Sequence, residues 1–137
     1  MGIIEKMRLD GKKGFVTGAA RGIGKCTATA FAEAGADVAI VDLDIEEAKK
    51  TAAELAEKTG RKVIAIQTDC TNKEQVDEMV ETVVKELGGL DFCHNNAGIC
   101  INAPAEEMTY EQWSKVININ LNGIFLTDIA AGKYMLA

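Results

Sequence analysis

The sequence has no excess of basic residues: 21 acidic residues outnumber 15 basic ones, and the formal net charge is −6. An acidic chain without a basic stripe argues against binding to nucleic acid or to anionic membranes. The sequence also lacks any apolar run near the ~20 residues that a membrane helix needs. Residues 1–6 do not have the pattern of a signal peptide, and Lys6 stands where a myristoylation signal has Ser or Thr.

Paired cysteine motifs are missing as well. The four cysteines, Cys26, Cys70, Cys93 and Cys100, form no Cys-x-x-Cys motif. Because they fall singly in globular segments, reduced thiols are expected. Cys93, His94 and Cys100 lack a fourth ligand at zinc spacing, so we expect no metal site. Together these absences predict a cytoplasmic protein.

Apolar and amphipathic segments alternate along the chain, which is 47% hydrophobic and 26% charged, as in a soluble globular protein. No linker, repeat or low-complexity tract divides it, so residues 1–137 are predicted to form one domain. The alternation of strands and helices predicts an α/β fold, in which a doubly wound parallel sheet lies between two layers of helices. The predicted strands are Lys13–Thr17, 38–41, 63–66 and 90–94. The predicted helices cover 23–34 and 45–59, then run from a cap at Thr71 to Gly88 and from a cap at Thr109 to the end of the chain.

Two helical faces carry specific predictions. In the first long helix, apolar spacing at i, i+3, i+4, i+7, i+8 and i+11 predicts a buried face made of Ile23, Cys26, Thr27, Ala30, Phe31 and Ala34. In the last helical region, one face is predicted to hold Trp113, Val116, Ile117, Asn120 and Ile124. Gly123 would permit a kink there.

A glycine-rich segment, residues 17–24, joins the first strand to the first long helix and is called the glycine turn below. Small residues in such a turn let the backbone approach a pyrophosphate, and the N–H groups of the first helical turn point at it. The spacing Gly-x-x-x-Gly-x-Gly is weak by itself, and an ordinary strand-to-helix turn is the alternative. The surrounding βαβ pattern favours a dinucleotide site.

Asp42 ends the second strand, roughly 20 residues past the glycine turn, where a dinucleotide fold needs a carboxylate for the adenosine ribose. A carboxylate there would repel the 2′-phosphate of NADP, so NAD is the expected cofactor, ahead of NADP. If Arg21 pairs with the 2′-phosphate, NADP would be preferred instead. The more ordinary interpretation is that Arg21 is a solvated charge in the loop. Asp42 could also merely cap the next helix, but Asp44 is better placed for that, with Glu47 three residues on.

Asparagines occur at two further points of interest. Asn95-Asn96-Ala97-Gly98 follows the fourth strand and either binds a cofactor and holds neighbouring strand ends or forms a plain Asn/Gly turn. Asn120 is an amide among apolar residues, which costs free energy unless its hydrogen bonds are met. It either braces the backbone as a satisfied structural amide or holds a polar group or a water at a buried active site.

Taken in order, these motifs resemble the short-chain dehydrogenase/reductase family over nearly the whole chain. The motifs are Thr17-Gly18-x-x-x-Gly22-Ile23-Gly24, Asp42, Asp69, Asn95-Asn96-Ala97-Gly98 and Ile119-Asn120-Leu121-Asn122-Gly123. The resemblance implies a Rossmann-like fold, a nicotinamide cofactor, and an oxidoreductase that moves a hydride between that cofactor and an alcohol or ketone. Polyols, sugars, 3-oxoacyl thioesters and hydroxysteroids all suit the family.

The resemblance also implies roles for individual residues. The implied cofactor-binding residues are Gly18, Arg21, Gly22, Ile23, Gly24, Asp42, Leu43, Asp69, Cys70, Asn95, Ala97 and Gly98. Among them, the glycine turn would line the pyrophosphate, Asp42 would take the adenosine ribose and Asp69 would lie beside the adenine. Asn120 would be the family's catalytic asparagine, which holds a water in the proton relay.

The family's catalytic serine and Tyr-x-x-x-Lys pair are not found in this sequence. Tyr110 is followed four residues later by Ser114, and Tyr134 has no position four residues on. We therefore expect the chain to be the N-terminal portion of a longer, homo-oligomeric dehydrogenase (a dimer or tetramer) and to be inactive alone. The alternatives are a non-catalytic NAD(P)-binding module that senses cofactor or needs a second chain, and a fragment that binds nothing.

Overall fold

Four parallel strands form the centre of the molecule, which a computed structural model describes over residues 1–137. The strands are β1 (Lys13–Thr17), β2 (Asp37–Asp42), β3 (Val63–Gln67) and β4 (Phe92–His94). Their order across the sheet is β3-β2-β1-β4. Because the chain extends the sheet first on one side of β1 and then on the other, the sheet is doubly wound, with its switch point between β1 and β4. The predicted fold class is confirmed.

Helices connect the strands and cover the sheet. They are α1 (Ile3–Lys6), α2 (Gly22–Glu33), α3 (Ile45–Thr59), α4 (Lys73–Leu87), α5 (Tyr110–Ile117) and α6 (Gly123–Leu136). A π-helical turn of five residues, Asn118–Asn122, separates α5 from α6 and is called the π-turn below. None of the helices combines the length and the apolar character needed to cross a membrane.

The sheet buries apolar side chains on both of its faces. Phe15 and Val41 point to one face, where they belong to a core shared with α4 and α6. Val16 and Ile40 point to the other face, where they belong to a core shared with α2 and α3. Alternate residues of a strand face opposite sides, so continuously apolar strands suit a sheet that is covered on both sides. The result is the expected three-layer αβα arrangement.

The buried face predicted for α2 is wrong. The helix buries Gly24, Ala28 and Ala32 instead, whereas Ile23 is 77% exposed. The cause is the close approach of the helix to the glycine turn: a Cβ atom on Gly24 would lie 2.2 Å from the Gly18 carbonyl oxygen. Only small side chains fit at this distance, so Ile23 faces outward. Phe31, farther along the helix, stays half-buried against the edge of the core.

The predicted N-cap residue is correct for α3 but not for α4. Asp44 caps α3 as predicted. The N-cap of α4 is Asn72, whose Oδ1 accepts a hydrogen bond from the Gln75 N–H at 3.0 Å. The hydroxyl of Thr71 instead donates to Asp69 Oδ1 at 2.7 Å. The predicted capping box at Thr71 is therefore wrong, because a neighbouring carboxylate takes its hydroxyl.

The last helical region is not one continuous helix. α5 begins at the predicted capping box of Thr109 and Gln112, but the π-turn then places an extra residue in one turn. Because of this extra residue, the predicted face is only partly correct: Trp113 is 56% exposed, the other predicted members are half-buried, and α6 buries Gly123 rather than Ile124. Gly123 has a helical φ of −61° and ends the π-turn without acting as a kink.

Candidate functional site

A cleft of about 520 Å³ opens at the carboxyl ends of the strands and is called the main cleft below. This is where ligands bind in open parallel sheets, next to the switch point. Seven of the predicted site residues line it, namely Gly18, Asp42, Leu43, Asp69, Cys70, Ala97 and Gly98. Seven residues that were not among the predicted site residues complete the lining, namely Val41, Thr68, Thr71, Ile99, Lys115, Asn118 and Ile119.

Six predicted site residues lie outside this lining. They are Arg21, Gly22, Ile23, Gly24, Asn95 and Asn120. The first four belong to the glycine turn and the start of α2, beside the main cleft. The two asparagines, Asn95 and Asn120, contact α6 and the segment that follows β4, as described below.

The glycine turn has the backbone geometry of an anion site. Gly18 and Gly22 adopt left-handed φ angles of 62° and 61°, which favour glycine. A Cβ atom on Gly18 would lie 2.9 Å from the Cα of Ala97, so the turn and the β4 end approach each other closely. Arg21 is the N-cap of α2 and gives no side-chain cap. The first N–H groups of α2 are therefore left for a ligand or for solvent.

Asp42 connects the glycine turn to the end of β2. Its Oδ2 accepts a hydrogen bond from the Ala20 N–H at 3.0 Å, and its Oδ1 accepts one from the Asp44 N–H at 3.1 Å. Each carboxylate oxygen can accept more than one hydrogen bond, so acceptor capacity remains toward the cleft. Asp42 thus fixes the turn and can still receive donors from a ligand.

Arg21 forms an ion pair with Asp44, the next acidic residue after Asp42. Its guanidinium lies 2.5 Å from Asp44 Oδ2, and both side chains are exposed. The backbone N–H of Glu47, followed by Arg21, lowers the pKa of the Asp44 carboxyl below its usual value. Arg21 is therefore a solvated loop charge, as expected, and it makes a surface ion pair with Asp44.

The loop after β4, residues 95–98, is called the β4 loop below and is tied to the end of β1. Thr17 Oγ1 accepts hydrogen bonds from the N–H groups of Asn96 and Ala97, at 3.0 and 3.1 Å. The Asn96 side-chain amide donates to the carbonyl oxygens of Thr17 and Gly18, at 3.2 and 3.1 Å. These contacts show that the motif holds the ends of neighbouring strands and is more than a plain Asn/Gly turn. Its role in cofactor binding stays a prediction.

Asn95 contacts α6, which the sequence did not predict. Its Nδ2 donates to Asp128 Oδ1 at 2.5 Å. Its Oδ1 is buried and has no hydrogen-bond partner. Burial, followed by the Asp128 carboxylate, raises the pKa of Cys93 on β4. Asp128 therefore lies over the end of the sheet's edge strand.

Asn120 braces the chain just beyond the β4 loop. Its Oδ1 accepts from the Ile99 N–H at 2.8 Å, and its Nδ2 donates to the Ile99 carbonyl oxygen at 2.8 Å. The side-chain amide is thus satisfied by backbone, which is the structural alternative given above. The π-turn around it belongs to a class of irregular helical turns that is frequent at functional sites. The catalytic role of Asn120 stays a prediction.

Two side chains of the main cleft, Cys70 and Lys115, carry groups that could ionise or form an ion pair. Burial raises the pKa of the Cys70 thiol to about 11. Lys115 is the one cationic side chain of the lining and makes no ion pair. It shares a helical face with Asn118 and Ile119, at i, i+3 and i+4, which is a signal that sequence reasoning could have used.

No three His, Cys, Asp or Glu side chains are grouped so that they could hold a metal ion. The main cleft instead combines backbone N–H groups, two carboxylates and apolar walls. Such a surface can bind an anionic and partly apolar ligand through hydrogen bonds and van der Waals contact.

Comparisons with known proteins agree with this fold. A family model described as short chain dehydrogenase matches residues 12–137. The chain therefore belongs to the short chain dehydrogenase family, and the resemblance found in the sequence is confirmed.

Individual relatives and structures are similar over nearly the whole chain. D-threitol dehydrogenase of Mycolicibacterium smegmatis is 42% identical over 129 residues, which are 94% of this chain and 49% of that protein. A 3-oxoacyl-acyl-carrier-protein reductase of Thermotoga maritima is 41% identical over 130 residues, 95% of this chain and 52% of that protein. The crystal structure of a short chain dehydrogenase from Burkholderia cenocepacia, in complex with NADP, has a TM-score of 0.86 at 37% identity and covers 93% of this chain and 52% of its own. The chain spans about half the length of the curated relatives it matches.

Proposed function

We propose that this chain binds a nicotinamide dinucleotide and forms the cofactor-binding part of an oxidoreductase that acts on alcohols and ketones. The observation that carries the proposal is the glycine turn, placed at the switch point of the sheet beside a main cleft that the ends of β2 and β3 and the loop after β4 line together. A dinucleotide has its pyrophosphate in the middle and one nucleoside at each end. It therefore matches an anion site that opens into a cleft at the switch point.

The residues present fit such a ligand. The positive φ angles of Gly18 and Gly22 and the uncapped N-terminus of α2 suit a pyrophosphate. Asp42 and Asp69 line the main cleft and can accept hydrogen bonds from ribose hydroxyls and from an exocyclic amine. Ile119 supplies an apolar wall for a base.

We further propose that NAD is preferred over NADP. Asp42 and Asp44 place two carboxylates at the end of β2, where a 2′-phosphate would be repelled. Arg21 is the cation that could offset them, but it is already paired with Asp44. The NADP complex of the Burkholderia cenocepacia relative makes a direct comparison of the two cofactors the necessary test.

A bound nicotinamide supplies hydride chemistry, while the protein positions the substrate and handles the proton. Neither tyrosine is placed to protonate a carbonyl in the main cleft, since Tyr110 is 84% exposed and Tyr134 is 43% exposed, and neither lines the cleft. We therefore assign proton transfer to residues of the whole protein outside 1–137. The substrates of first choice are polyols and 3-oxoacyl thioesters, because relatives carry those names.

Calorimetric titration of the chain with NAD⁺, NADP⁺ and ADP tests the binding proposal. We expect NAD⁺ and ADP to bind, and NADP⁺ to bind more weakly than NAD⁺. A control variant, Gly132→Ala, lies in open space on α6 and should bind like the parent chain. Absence of binding by NAD⁺, NADP⁺ and ADP would overturn the proposal. The whole protein would then be assayed with threitol and a 3-oxoacyl thioester, following nicotinamide absorbance.

A further inference from the structure

We infer that Asp128 is a positioning residue that fixes the side chain of Asn95 and, through it, the β4 loop. The inference rests on the proposed function, because the β4 loop matters to a ligand that crosses the switch point. Asp128 lies on α6, outside the lining of the main cleft and outside every motif that marked the site in the sequence.

The hydrogen bond between Asn95 and Asp128 determines how the side-chain amide of Asn95 is oriented. An ionised carboxylate can only accept hydrogen bonds, so Asp128 must take the Nδ2 group of Asn95, which lies 2.5 Å away. The amide oxygen is then the group turned away from Asp128, and it is buried and has no hydrogen-bond partner. Asn95 also lines a small cavity, together with Thr17, Cys70 and Thr127. A neutral side chain at position 128 would not impose this orientation.

Hydrogen bonds hold the segment that starts at Asn95 at three points along the chain. Thr17 and Asn96 tie the middle of the β4 loop to β1. Asn120 holds Ile99 just beyond it. Asp128 gives Asn95 its single side-chain hydrogen bond, at the point where the chain leaves β4.

The position of Asn95 predicts which ligands depend on Asp128. The main cleft is lined by residues at the ends of β2 and β3 and by Ala97 and Gly98 of the β4 loop, whereas Asn95 lies outside this lining, directly after β4. A ligand that ends at the pyrophosphate occupies the main cleft and does not reach Asn95. A complete dinucleotide continues past the glycine turn toward the end of β4. Asp128 should therefore affect NAD⁺ binding more than ADP binding.

Calorimetric titrations of three variants with NAD⁺ and ADP test this. Asp128→Ala removes the acceptor, so we expect NAD⁺ affinity to fall about fivefold or more, the scale of one hydrogen bond, and ADP affinity to fall by a smaller factor. Asp128→Asn retains an acceptor oxygen and should lose less. The matched control is Glu81→Gln, which removes an equal charge from the exposed surface of α4. It should change neither affinity.

Hydrogen exchange gives a second readout that needs no ligand. The amide protons of Asn96 and Ala97 should exchange faster in Asp128→Ala than in the parent or in Glu81→Gln, because the loop is released at its first residue. Asp128→Asn provides the same comparison if the alanine variant does not fold.

The outcomes separate the inference from the function on which it rests. Equal losses for NAD⁺ and ADP, or unchanged binding and exchange in Asp128→Ala, would overturn the positioning role. A parent chain that binds neither NAD⁺ nor ADP would overturn the proposed function. In that case the exchange rates alone decide whether Asp128 holds the loop, and unchanged rates refute it.

Discussion

Arg21 and Asp44 form an ion pair, 2.5 Å long, between the glycine turn and the start of α3. Asp44 is also the N-cap of α3, since its Oδ1 accepts from the Glu47 N–H at 3.1 Å. One carboxylate therefore caps a helix and pairs with a cation of the glycine turn. We expect substitutions at Asp44 to affect both cofactor preference and the stability of α3.

Asp44→Ala should shift cofactor preference toward NADP⁺. The substitution releases Arg21 and removes one negative charge, so we expect the ratio of NADP⁺ to NAD⁺ affinity to rise by roughly threefold to tenfold, the scale of one charged contact. Loss of the cap should also cost about 1 kcal/mol of unfolding free energy. Asn72→Ala is the matched control, because it removes the cap of α4 without touching Arg21. An unchanged ratio would contradict the assignment.

Asp42→Ala should relax the NAD⁺ preference more directly. The carboxylate is expected to accept ribose hydroxyls, so NAD⁺ affinity should fall by about tenfold, the scale of a hydrogen bond to a charged group. NADP⁺ affinity should fall less, because the repulsion of its phosphate is also removed. Competition titrations measure both values. Unchanged selectivity would refute the ribose assignment.

Gly24→Ala should destabilise the chain and weaken dinucleotide binding. The added methyl group would overlap the Gly18 carbonyl oxygen, at 2.2 Å, and overpacking of this kind costs about 1–3 kcal/mol. Gly132→Ala is the control, because its methyl group meets nothing within 4 Å. It should instead stabilise α6 by about 0.5–1 kcal/mol. Urea unfolding monitored by circular dichroism distinguishes the two, and equal stabilities would rule out the close approach of α2.

Thr17→Val should loosen the β4 loop. Valine keeps the shape of threonine but leaves the N–H groups of Asn96 and Ala97 without their acceptor, at a cost of about 2 kcal/mol. Thr17→Ser keeps the hydroxyl and should retain most of the stability. Thermal unfolding of both variants is the measurement. Equal losses would indicate that the methyl group of Thr17, rather than its hydroxyl, is what matters.

Cys70 should react slowly with alkylating reagents below its pKa. Burial raises that pKa from 9.0 to about 11, so at pH 8 the thiolate fraction is roughly 100-fold lower than for an ordinary thiol. Because the folded state keeps this proton while the unfolded chain loses it, stability should fall as pH rises from about 9 to 11. Mass spectrometry after iodoacetamide treatment should show exposed Cys26 and Cys100 labelled first. Rapid labelling of Cys70 at pH 8 would contradict the prediction.

The strands and the main motifs could be predicted because their signals are local. Continuous apolar runs mark strands that are buried on both faces, and glycines mark helix ends, as at Gly60 and Gly88, which adopt left-handed φ angles of 68° and 83°. Asp42 could be found because it directly follows such a run. These features depend on a few neighbouring residues in the chain.

Other features depend on contacts between distant segments. The buried face of α2 was mispredicted because Gly24, Ala28 and Ala32 carry little hydrophobic signal, and only their closeness to the sheet explains their selection. Asp128 was missed because its partner Asn95 is 33 residues away in sequence. Neither contact leaves a periodic pattern.

The π-turn makes residue count, and not residue type alone, part of how this site is specified. The wider turn accommodates one extra residue, so deletion of one residue from Asn118–Asn122 should leave an ordinary helix with α6 facing nearly as before. A deletion elsewhere in α5 or α6 has no such turn to absorb it and would rotate Thr127 and Asp128 by roughly 100° relative to α5, the angle of one residue. A substitution scan would not detect this dependence, whereas a scan of single-residue deletions would locate it. Sequence alignments of this region therefore need their gaps placed by structure.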